Sequence, residues 1–237
     1  MLRHLPFRAL ATCAVALLAV GLSARAEEKT EVFKVAKDTF ITNEKAGTPG
    51  DRTDRNFGDQ PQINIDTQYN GEKSHALVQF DLAAIPAEAT IRKAVLLMGP
   101  RIKPGVGTLM ELEVRRLLRD DWLEGGKDRK TEGVSMAATW NARFVKEDGT
   151  AVAWEMPGAM GATDSDVGTA IRLPGADAVA RLDEGIDVTV HVQTWQKDRT
   201  VAPGWMLRSS NQNINYIRWA SREAEGATGP TLAVTWE

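Results

Sequence analysis

The 237-residue chain sets 29 lysines and arginines against 32 aspartates and glutamates, a formal charge of −3. That balance argues against nucleic acid and against electrostatic adsorption to a membrane, but leaves an anionic glycan open, because a local basic patch does not register in a total. The one cysteine, Cys13, lies in the first 26 residues, so the rest of the chain carries no disulfide and must rest on its core.

Residues 1–26 read as a secretory signal peptide. Arg3 and Arg8 supply the positive region, residues 9–22 the apolar region, and Ala24-Arg25-Ala26 a small-x-small cleavage site. Leu10-Ala11-Thr12-Cys13 faintly imitates a lipobox, but the apolar region continues past it. Cleavage near Ala26 would leave residues 27–237 as one secreted or periplasmic domain. No later apolar run approaches the roughly 20 residues of a membrane-spanning helix.

Strand-like runs follow at residues 32–35, 63–66, 76–82, 91–98, 109–118, 169–173, 205–209, 216–221 and 231–236. The clearest stretch is 75–98. Ala76, Val78 and Phe80 alternate with Leu77, Gln79 and Asp81, the period of a strand. Ile85-Pro86 ends that run, since proline has no N–H for a ladder. Ala94, Leu96 and Met98 then alternate with Val95 and Leu97, apolar on both faces. One short helix is expected where Val188, Val192 and Trp195 fall at i, i+4 and i+7, capped by Asp187 or Thr189 and ended at Lys197-Asp198. Residues 124–166, rich in Gly, Asp, Lys and Ala, read as a long loop excursion, functional or mobile. Short strands punctuated by Gly, Pro, Asn and Asp predict an all-β fold: an antiparallel, jelly-roll-like β-sandwich.

Seven blocks in this order resemble the DNRLRE-type domains, secreted β-sandwiches related to alginate-binding carbohydrate-binding modules. They are Asp38-Thr39-Phe40-Ile41; Asn56-Phe57-Gly58 with Ile63-Asn64-Ile65; the 75–98 stretch; Val114-Arg115-Arg116-Leu117 with Asp121-Trp122-Leu123-Glu124-Gly125; Ala138-Thr139-Trp140-Asn141; Asp187-Val188-Thr189 with Val192, Trp195 and Gly204-Trp205-Met206-Leu207; and Trp219-Ala220-Ser221-Arg222-Glu223 with Pro230-Thr231-Leu232-Ala233-Val234. They span residues 36–236. The resemblance implies a non-catalytic sandwich that binds extracellular polysaccharide. His75 departs from it, standing where the family usually has arginine.

Seven tryptophans against two tyrosines raise the question of sugar stacking. Trp122, Trp140, Trp195, Trp205 and Trp219 occupy strand or helix blocks that call for large apolar groups and are expected in the core. Trp154 and Tyr69 lie in polar or Gly-rich stretches and are the aromatic ligand candidates. Arg52, Arg55, Arg208, Arg218 and Arg222, the later ones interleaved with Asn211, Asn213 and Asn215, have the forked donors that suit carboxylates. A hairpin through 211–215 would bring the last three together, and an unbulged strand would put Arg218 and Arg222 on one face.

No metal ligand is assigned. Asp164 with Asp166, and Asp51, Asp54 and Asp59, offer oxygens that a structural calcium could use, without EF-hand spacing. The three histidines, His4, His75 and His191, have no cysteine to join them on zinc. No nucleophile elbow or zinc-protease motif is present, and an enzyme is not the expected reading. A structural surface or matrix domain that binds protein is the alternative, and a polysaccharide lyase using Tyr69 or His75 as base a third.

Overall fold

The computed structural model describes residues 27–45, 52–67, 71–106, 111–125, 136–209 and 215–237. The signal-peptide reading, Tyr69, Asp51 and the 211–214 turn lie outside these residues. None of the described helices is long and apolar enough to cross a membrane.

Thirteen strands and two helices follow in order: β1 (Lys29–Thr42), β2 (Gln62–Thr67), β3 (Lys73–Phe80), β4 (Ile91–Leu97), β5 (Arg101–Val106), β6 (Leu112–Arg116), β7 (Ala142–Val145), β8 (Ala151–Ala153), β9 (Ile171–Leu173), α1 (Gly175–Glu184), β10 (Ile186–Asp187), α2 (Thr189–Lys197), β11 (Gly204–Ser209), β12 (Asn215–Ala220) and β13 (Thr231–Trp236). The fold is an all-β antiparallel sandwich, and every expected strand run finds a counterpart. The main path runs β10-β4-β13-β1-β3-β11-β6-β9, with β2, β12 and β5 branching from β3.

β1 joins the two layers. Its first six residues pair with β13, and from Val35 onward it pairs with β3, the register shifting between Val35 and Lys37. A bulge of this kind bends a strand so that it can pass from one sheet to the other. Phe33, Leu96, Val234 and Trp236 from one layer meet Val78, Phe80, Trp205 and Ile217 from the other in the principal core. β4 is fully buried only on the face of Ala94 and Leu96. Val95 and Leu97 are half-buried.

α2 forms where the 3.6-residue spacing places it, with His191, Val192 and Trp195 buried. It also fastens the turn after β3: Gln196 donates to the carbonyls of Pro86, Ala87 and Ala89, and Arg199 to those of Ile85 and Pro86. The structure adds a second helix, α1, which the sequence reading had missed. It begins after Pro174 and buries Ala178 and Leu182, four residues apart on one face, among its described side chains.

The described part of the 124–166 segment, residues 124–125 and 136–166, contains the β7–β8 hairpin. Together with Trp122 it covers the outer side of the β1-β3-β11 region, where Ile41, Leu77, Leu117, Trp122, Ala138, Trp154, Ala159 and Met206 form a second apolar cluster. β3 is therefore buried on both faces. A further correction concerns β11 and β12, which are not a paired hairpin: β11 lies between β3 and β6, and β12 between β2 and β5.

Candidate functional site

Three of the arginines named from sequence, Arg52, Arg55 and Arg218, converge on one pocket of about 340 Å³. Alternate residues of β2, namely Gln62, Asn64 and Asp66, line it, while Ile63 and Ile65 point into the core. Asn64 lies opposite Arg218 in the β2–β12 register, so an ordinary cross-strand pairing sets an amide beside a guanidinium. The loop before β2 closes the pocket with Arg52, Arg55, Phe57 and Gln60, its backbone held by bonds from Arg55 N–H to Arg52 O and from Gln60 N–H to Phe57 O. Phe57 stacks on Phe40 of β1, ring centroids 4.3 Å apart.

The charges are mixed. Arg52 donates to Glu44 at 2.6 Å, and burial pushes the Asp66 carboxyl up to about 6 against the pull of Ser74 and Arg218. The Asn64 Oδ1 atom is buried with no partner among the described residues, an acceptor available to a hydroxyl ligand. Forked guanidiniums, amides that both donate and accept, and a phenyl surface are together the chemistry that holds a hydroxylated anion.

The other arginines are committed elsewhere. Arg208, Arg115 and Arg172 all donate to Glu113, at 2.7, 2.9 and 3.0 Å. Burial would raise the Glu113 carboxyl, but the three guanidiniums hold it below its usual range. Arg222 lies beyond the end of β12 and does not share a strand face with Arg218; it pairs with Glu124 and Glu223. Trp154, expected as a sugar platform, is only 3% exposed, and its indole N–H donates to the Thr139 carbonyl at 3.0 Å. Trp122, Trp195, Trp205 and Trp219 are buried as expected, and Trp140 is half-buried against His75.

Both histidines of the domain are structural. His75 donates from Nδ1 to the Gly158 carbonyl at 2.8 Å, and burial pushes its pKa down to about 3. His191 accepts from the Trp205 indole at Nδ1 and donates from Nε2 to Thr169 O, which leaves it neutral, with its pKa also lowered by burial.

Of the acids suited to calcium, Asp164 is filled by three backbone N–H donors, from Glu155, Met156 and Gly161. Burial would raise Asp166, yet bonds from Arg116, Thr169 and Gly168 hold it at about 2. Asp54 accepts from Asn141, and Asp59 from Gln60.

The structure instead assembles a different acidic group, Asp38, Glu124 and Glu223. It is built where the resemblance blocks meet. Asn56 donates to the carbonyls of Glu124 and Ala138. A Cβ on Gly58 would lie 1.9 Å from the Glu124 carbonyl oxygen, and one on Gly125, at φ 91°, would lie 2.1 Å from Asn56 Oδ1. Only glycine permits so close a meeting of the two loops. Each acid stands in a separate block, so the blocks themselves were the signal, unread because nothing local links them.

No family model matches the chain, and none of the curated proteins searched matches it.

Proposed function

We propose that this protein is a secreted, non-catalytic β-sandwich module that binds extracellular polysaccharide, with an acidic sugar residue seated in the pocket of Arg52, Arg55, Asn64 and Arg218. The observation that carries this reading is the convergence of three guanidiniums, two from the loop before β2 and one from β12, on a concave site with Gln60, Gln62, Asn64 and a stacked phenylalanine pair. Arginine recognises a carboxylate bidentately, while amides exchange hydrogen bonds with sugar hydroxyls. The resemblance to DNRLRE-type domains and the signal-like N-terminus point the same way.

Affinity electrophoresis through gels containing alginate, pectate or a neutral glucan tests the proposal. Retardation should occur on a polyuronate, weaken between low and high ionic strength, and fall at least tenfold in affinity in Arg218→Ala. A salt-insensitive affinity unchanged by Arg218→Ala, or no retardation on either polyuronate, would refute it.

A further inference from the structure

The Asp38–Glu124–Glu223 group has a charge imbalance that its own surroundings do not resolve. One oxygen from each carboxylate lies within 4.8 Å of the others. The cation engaged with all three residues is Arg222, which donates from its side chain to Glu124 and Glu223 and from its backbone N–H to Asp38 Oδ2 at 3.0 Å. Lys37 makes no hydrogen bond to the group, though its charge acts on Glu124: its ammonium donates to the carbonyls of Asp120 and Trp122, both at 2.8 Å, and sits over the Trp122 ring. Three carboxyl groups thus share one directly paired guanidinium.

Two carboxylate oxygens in the group are also without a donor. Asp38 is 1% exposed and its Oδ1 has no hydrogen-bond partner; Glu223 Oε2 is likewise buried and unpartnered. The Asp38 and Glu223 side chains are close enough to share a hydrogen bond, which requires one of them to hold a proton; with both ionised the pair would be costly out of water without a counter-charge. The group has little room to relax. Glu124 Oε1 accepts the Asp38 backbone N–H at 2.6 Å, and the Glu124 backbone is pinned by Asn56 and by its tight contact with Gly58.

We propose that Asp38, Glu124 and Glu223 form a structural site for a hard divalent cation, calcium in particular. All the side-chain donors are carboxylate oxygens, which select hard cations over zinc or copper. With Arg222 occupying one side, the remaining coordination is irregular, which calcium tolerates and magnesium does not. A divalent ion would displace the proton that Asp38 and Glu223 otherwise share and supply the counter-charge for both. It would tie β1 to the loop after β6 and to the turn after β12, beside the Phe40 and Phe57 pair. This site is independent of the polysaccharide reading.

The test is calorimetric titration of CaCl₂ into EDTA-treated, dialysed protein, with melting curves recorded in parallel. One site per chain is expected, with a rise in Tm of roughly 5–10 °C once free calcium exceeds its Kd about a hundredfold. MgCl₂ should raise Tm by less than half as much. In Glu223→Gln the calcium affinity should fall at least tenfold, while its melting without calcium should equal or exceed that of EDTA-treated wild type. Asp38→Asn provides the same comparison should Glu223→Gln fail to fold. No heat and no shift in wild type at millimolar calcium would overturn the proposal and leave a proton shared between Asp38 and Glu223. An equal calcium response in wild type and variant would overturn it too, since the ion would then bind elsewhere.

Discussion

Replacing Trp122 by alanine tests whether the segment around 124–166 is folded onto the sandwich by its tryptophans. Trp122 is 0% exposed and lies in the cluster with Ile41, Leu77, Leu117, Trp154 and Met206. A buried tryptophan removes about 150–250 Å² from water, roughly 4–6 kcal/mol of transfer energy at 25 cal/mol per Å², an upper bound because the unfolded chain already hides some of it. Its indole N–H has no hydrogen-bond partner, so the truncation orphans no acceptor. It does remove the ring beneath the Lys37 ammonium, 4.5 Å from the centroid. A cost of about 3–5 kcal/mol is expected, the range for truncating a buried large aromatic. For a domain of this size it corresponds to a fall in Tm of roughly 6–20 °C. Calorimetry measures the fall, and limited trypsin digestion should show cleavage between residues 117 and 165 before the rest of the domain, since Trp122 is the largest fully buried side chain in the cluster that anchors that segment. A shift below about 2 °C with unchanged digestion would refute the reasoning and return Trp122 to the surface as a sugar platform.

Asp66 gives a pH dependence with a definite sign. Its folded pKa, about 6, lies above the ordinary 3.8, so the folded state holds the proton more tightly and the favourable contribution is complete below about pH 4 and lost as pH rises through 6. Wild type should lose about 2–3 kcal/mol between pH 4 and 6.5 that Asp66→Asn retains, as measured by urea denaturation at each pH; parallel curves would count against it. Glu113→Gln removes the one carboxylate to which Arg115, Arg172 and Arg208 all donate and should cost about 3–5 kcal/mol in the same assay. A loss under 1 kcal/mol would show that those guanidiniums find another anion.

The strands were legible because their alternation is local: Ala76, Val78 and Phe80 face the principal core just as a period of two requires. β5 was not, because Pro104 and Gly105 interrupt it and proline ordinarily argues against a strand. Trp154 was misplaced for a related reason. Its neighbours carry no apolar period, and its burial comes from docking onto the outward face of β1, β3 and β11, a tertiary event with no local signature. Among the arginines, residue type separated none of them. Arg208, Arg218 and Arg222 offer the same fork, and what sorts them is the acid each meets, Glu113 or Glu124 about a hundred residues away, or else the β2 register that places Arg218 opposite Asn64.

Under the polysaccharide proposal, that sorting also separates what maintains the fold from what would meet the ligand. Asp38, Asn56, Gly58, Glu124, Gly125, Arg222 and Glu223 belong to the resemblance blocks, and they meet in one knot that joins β1, two loops and the turn after β12. Arg52, Arg55, Gln62 and Arg218 lie between the blocks and line the pocket beside that knot. On that proposal, two chains sharing the knot would share the sandwich while differing in the charge of this pocket, and their ligand preference should follow the residues at 52, 55, 62 and 218 more closely than the blocks. Exchanging Arg52 and Arg55 for glutamine with the knot intact should shift preference from polyuronate toward neutral glucan, with little change in Tm.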